Sequence, residues 1–167
     1  MSRTRTLATP THLLLALAVA LGGLLIGAAN PASAQVGAAT TQAVTPFPER
    51  VRVEVNKQRT ANRVAALGTS KSAPAAAQSW ARQLANADQG LSHQPLRPLM
   101  DRNHWSRAGE NVAYLGSKDA AQVTRMWMNS SGHRANILNA GYTHTGVGVA
   151  TARSGRVYVV MLYVASR

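Results

Sequence analysis

The chain has 167 residues and a formal net charge of +12, with 18 Lys and Arg against six Asp and Glu, and no cysteine. That length supports one domain with a real core and not two. The missing cysteine excludes a disulfide scaffold, a thiol nucleophile and a C-x-x-C metal knuckle, and without a run of five or six Lys/Arg the charge reads as a basic, solvated surface and not as a specific nucleic-acid tract.

Arg3 and Arg5 precede an almost wholly apolar run from Leu13 to Ala28, and Asn30-Pro31 breaks it before Ala32-Ser33-Ala34, a small-x-small site ahead of Gln35. This is the pattern of a secretory signal peptide over residues 1–34, cleaved after Ala34. The alternative, a retained anchor, has an apolar run near the lower limit for spanning a bilayer. After cleavage no transmembrane segment is expected, because the other long apolar run, Val157 to Val164, has a strand's length and β-branched content. Losing Arg3 and Arg5 would still leave a formal charge of +10 on residues 35–167, which suits anionic envelope polymers, anionic lipid or nucleic acid.

Residues 35–47 carry no charge and no apolar periodicity, and read as a flexible leader to a domain over 48–167. Pro48-Glu49 starts a first helix, with proline tolerated in the first turn and an acid near the positive end of the dipole. It is predicted to run to about Leu67 and to stop at Gly68. Pro74 to Asp88 is a second helix, with Ala77, Trp80, Ala81, Leu84 and Ala85 on one face. Leu91 to Leu115 mixes Pro, Gly, Arg, Asn and two histidines and reads as a long irregular connection, a length that points to function or mobility.

A third helix over about Lys118 to Asn129 turns Val123, Met126 and Trp127 inward, and a short fourth runs from Gly132 to Leu138. The preceding Ser-Ser-Gly step offers hydroxyls to cap that helix and places His133 where the dipole disfavours a second positive charge. Thr145 to Thr151 and Arg156 to Val164 form a hairpin across Ala-Arg-Ser-Gly. The second strand is apolar on both faces and requires cover on both sides. The expected fold class is α+β, an α/β/α sandwich with a small antiparallel sheet between helices.

Local spacing nominates no reaction: there is no G-x-S-x-G, no H-E-x-x-H and no Gly-rich phosphate loop. A larger pattern exists in chain order. It comprises Val55-Asn56-Lys57-Gln58-Arg59, Trp80-Ala81, Leu91-Ser92-His93, Gly109-Glu110-Asn111-Val112-Ala113, the stretch from Trp127 to Leu138, and Gly146-Val147-Gly148-Val149-Ala150. Together these resemble the bacterial branch of the CAP superfamily, which unites cysteine-rich secretory proteins, antigen five and pathogenesis-related one proteins around the SCP domain.

The resemblance spans about Pro48 to Arg167 and implies a central cleft with His93, Glu110 and His133 in it. Where many eukaryotic members carry a second acid, this chain has Ser130. Neutral His93 and His133 with a Glu110 carboxylate would suit zinc, with one position left for water or ligand. Glu110 either contacts metal and histidine or pairs with an arginine such as Arg107. Ser130 either orients bound water or caps the next helix. Trp105 and His144 are further ligand-binding candidates at the cleft edge.

For function, the family likeness implies a secreted binding module for a lipid, a sterol-like or an anionic cell-envelope ligand. Two rivals stand beside it: a metal-assisted hydrolase with Glu110 as base, and a basic surface adhesin with a vestigial cleft.

Overall fold

A computed structural model describes residues 44–166; the expected signal peptide, residues 35–43 of the leader and the terminal arginine lie outside the described residues. Five helices and four strands follow in the order α1 (Phe47–Ala61), β1 (Gly68–Thr69), α2 (Ala73–Ala87), α3 (Leu96–Asn103), β2 (Trp105–Leu115), α4 (Ala120–Met128), α5 (Ser131–Leu138), β3 (His144–Thr151) and β4 (Val157–Ser166). The sheet order is β1-β3-β4-β2.

Strand β4 organises the core. Its residues Val157 to Ala165 are all buried, and because successive side chains alternate in direction they build two cores. Val157, Val159, Met161 and Tyr163 pack with α1, α4 and α5. Tyr158, Val160, Leu162 and Val164 pack with α2 and, at its margin, Leu96, Leu99 and Met100 of α3. This is the expected α/β/α sandwich.

Three details differ from the sequence reading. The sheet is mixed, since the two-residue β1 joins β3 in parallel while β2, β4 and β3 run antiparallel. Helix α1 stops at Ala61, six residues early: Arg63 is left-handed at φ 59°, and the Asn56 side chain bonds both the N–H and the carbonyl of Leu67. The presumed long connection holds α3 and the whole of β2. Its strand pattern was hidden because two polar residues, Glu110 and Asn111, are buried side by side in it.

The Gly-Val-Gly segment of β3 is explained by α2. A Cβ on Gly146 would stand 2.1 Å from Pro74 N, and one on Gly148 would stand 2.2 Å from Ala77 C. Fully buried Ala73 and Ala77 of α2 thus rest directly on glycine backbone. A side chain on either strand position would push the layers apart.

The register also decides which backbone groups face outward. Gly68 and Ser70 N–H donate to the Thr143 and Thr145 carbonyls, which turns the odd positions of β3 toward β1. Even positions of β3 then pair with even positions of β4, and odd positions of β4 with odd positions of β2. The N–H and C=O groups of Glu110, Val112 and Tyr114 therefore point away from β4. They form the sheet's open edge.

Candidate functional site

The segment between α2 and α3 is pinned by Trp80, whose indole N–H donates to the Ser92 carbonyl at 2.9 Å. This sets the next two residues against β2. His93 Nδ1 lies 2.8 Å from Glu110 Oε1, the Gln94 backbone N–H donates to the same oxygen at 3.2 Å, and the Gln94 side-chain amide donates to Oε2. The Glu110 side chain is 1% exposed, whereas that of His93 is 60% exposed. The carboxylate is thus enclosed, and its work is to hold the imidazole and the Gln94 turn.

Asn111 faces the other way and ties down α5. Its amide donates to the His133 carbonyl at 3.1 Å and to Tyr163 Oη at 3.0 Å. Asn136 answers from α5, donating to the Glu110 carbonyl and to Asn111 Oδ1, both at 3.0 Å. The Trp127 indole N–H donates to the Val112 carbonyl at 3.2 Å. These bonds clamp α4 and α5 along the open edge of β2.

The result is a cleft of about 350 Å³ along that edge. Leu91, Tyr114, Met126, Trp127, Ser130 and His133 line it. Three of its residues, Leu91, Tyr114 and Met126, are large apolar side chains left 41–46% exposed. His133 sits in the first turn of α5, and its pKa is lowered from the ordinary histidine value, first by burial and then by the charge of His93. A neutral imidazole is therefore favoured in the cleft. A second hollow of about 520 Å³ lies between α2 and α3 and touches Gln94, Trp80 and Arg102. It contains neither imidazole.

The six residues nominated from sequence are thus divided. His93 and Glu110 bond directly, and His133 and Ser130 line the cleft beside them. Ser130 is the N-cap residue of α5, but its hydroxyl makes no capping bond. Trp105 is a core residue, 2% exposed beneath α2. His144 lies on β3, bonded to Thr143 Oγ1 at 2.9 Å, two strands away from the cleft edge. Arg107 lies against Gly141 and not against Glu110.

Among the described residues no group of three or more His, Cys, Asp and Glu is placed to hold a metal ion. Of the three residues expected at a metal, Glu110 is bonded to His93 and His133 lines the cleft. Gln94 and Met126 were not nominated as site residues; the expected inward turn of Met126 is corrected to a cleft wall. No sequence signal marked Gln94, since its role follows only from the turn that puts it on Glu110.

The family model for CAP, the cysteine-rich secretory protein family, matches residues 53–163. The uncharacterized protein YkwD of Bacillus subtilis (strain 168) is 50% identical over 50 residues, which is 30% of this chain and 19% of that protein. The match therefore spans less than a fifth of that curated relative. Among solved structures, an extracellular protein containing a SCP domain from Bacillus anthracis str. Ames superposes with a TM-score of 0.63 at 22% identity, covering 72% of this chain and 40% of the other. An outer surface protein from Borrelia burgdorferi gives a TM-score of 0.64 at 16% identity, covering 74% and 97%. These two likenesses are of fold.

Proposed function

This chain belongs to the CAP, or cysteine-rich secretory protein, family, and from that premise we propose that it is an exported binding module whose cleft along β2 takes an apolar, envelope-derived ligand beside His93 and His133. The observation that carries the reading is the cleft wall itself. Leu91, Tyr114 and Met126 are large apolar groups left exposed together, and a shared apolar surface of this kind is normally covered by something. Export is supported by the signal-like residues 1–34, and no helix among the described residues is long and apolar enough to cross a membrane.

The same geometry supports binding over hydrolysis. A general base needs a carboxylate or imidazole within reach of a water or substrate proton. Both Glu110 oxygens are engaged by His93 and Gln94, inside a side chain that is 1% exposed.

A divalent cation is compatible with the two imidazoles. His93 uses Nδ1 on Glu110 and leaves Nε2 without a hydrogen bond among the described residues, which is the carboxylate–histidine arrangement that supports metal ligands; burial lowers the pKa of His133 and so favours the neutral form that ligation requires. When bound, such an ion would polarise a ligand oxygen. Two protein donors give it modest hold.

Calorimetric titration of zinc, and separately of isolated cell envelope, into wild type, His93→Ala and His133→Ala tests the reading. Loss of both signals in the variants is the expected result. Envelope binding that ignores both substitutions and falls away between low and physiological salt would favour the basic adhesin instead.

A further inference from the structure

The two free edges of the sheet are finished differently. At the β3 edge, Gln78 closes both backbone groups of one residue: its amide donates to the Val149 carbonyl at 2.8 Å and accepts from the Val149 N–H at 3.0 Å. At the β2 edge only acceptors are closed. Asn136 takes the Glu110 carbonyl and Trp127 takes the Val112 carbonyl. The Val112 N–H points the same way, and outside the ladder it meets no acceptor among the described residues. Val112 is only 3% exposed, and a buried amide without an acceptor is rare in a folded domain. One step along, at Tyr114, both the N–H and the C=O face outward with no partner outside the ladder among the described residues.

We infer that the cleft receives a short extended peptide segment, which pairs with β2 through Tyr114 N–H, Tyr114 C=O and Val112 N–H. Outward groups two residues apart in a strand repeat at about 6.8 Å, the repeat of an extended peptide. The walls agree with this occupant: Leu91, Tyr114, Met126 and Trp127 line the cleft and would take the apolar side chains of the added strand. Strand addition of this type draws affinity from main-chain bonds and preference from such side pockets.

The inference rests on the reading of this cleft as a binding site, and names what binds. A synthetic library of capped heptapeptides, apolar residues randomised at alternate positions, is titrated into the full chain and followed by backbone amide shifts. The expected tight members perturb Val112 and Tyr114 and slow hydrogen exchange at both amides. The tightest member is then N-methylated one peptide bond at a time. Affinity should fall about tenfold or more at the one methylated bond whose N–H donates to the Tyr114 carbonyl and stay within about twofold at its neighbours, a single-site pattern that apolar contact alone does not produce.

Uniform sensitivity to methylation, or none, would overturn strand pairing. A library in which no member perturbs Val112 and Tyr114 overturns it too. In either case, zinc or envelope binding that still depends on His93 and His133 would leave the cleft reading standing, and loss of those signals as well would remove both.

Discussion

Arg59 offers the sharpest test of how the cleft helix α5 is held. It is fully buried at the end of α1, and its guanidinium reaches four carbonyls: Ala65 at 2.7 Å, Ile137 at 2.7 Å, Asn139 at 2.9 Å and Tyr142 at 3.2 Å. No carboxylate pairs with it among the described residues, and burial lowers its pKa, with Tyr163 opposing. Arg59→Met would keep much of the volume and strand these carbonyls. The Ile137 and Tyr142 carbonyls make buried bonds, and each such acceptor left unmet costs about 1–3 kcal/mol. Release of a desolvated charge offsets part of this, so a net loss of about 3–4 kcal/mol is expected, large against the roughly 5–15 kcal/mol of a typical domain. Arg59→Lys keeps the charge but not the fork, and should lose about 2 kcal/mol or more. Urea unfolding measures both. A loss below about 1 kcal/mol in Arg59→Met, or wild-type stability in Arg59→Lys, would refute the view that the carbonyl fork docks α5.

Gly148→Ala should destabilise by about 2–3 kcal/mol or more through overpacking, because its Cβ would meet Ala77 and Gln78 backbone at 2.2 Å; a midpoint unchanged in urea would contradict the close helix–strand approach. Glu110→Gln places a donor among donors from Gln94 and is expected to cost about 1–3 kcal/mol and to move the His93 imidazole nitrogen shifts, both of which must stay put if the carboxylate is idle. The lowered pKa of His133 means that the unfolded chain binds a proton there more readily than the folded one. Its contribution is intact above the unfolded value, about 6.5, and is lost as pH falls below it toward the folded value. Wild type should therefore lose more stability than His133→Gln between pH 7 and pH 5 in urea titrations, and parallel curves would count against a desolvated imidazole.

Much of the helix and hairpin pattern was legible because it depends on short-range periodicity. The stripe of α2 from Ala77 to Ala85 and the two-faced burial of β4 each write their environment into neighbouring residues. Strand β2 was not legible, for the opposite reason. Glu110 and Asn111 are polar where a strand pattern calls for apolar side chains, and their burial is tolerable only because Gln94, His93, Asn136 and Tyr163 come from distant positions to satisfy them. The same holds for Arg59, whose charge reads as surface until its four carbonyl partners are known.

The linear chain was enough to establish the family, the sandwich class and the shortlist of His93, Glu110, Ser130 and His133, since ordered motifs survive without any folding. What each of those residues does was set by the packed fold. It enclosed the Glu110 carboxylate between His93 and Gln94, placed Trp105 in the core and His144 on β3, and left the β2 edge open beside His133. Those outcomes depend on hydrogen-bond partners and strand register contributed by residues far apart in the chain, and no local pattern encodes which distant group will satisfy a buried one.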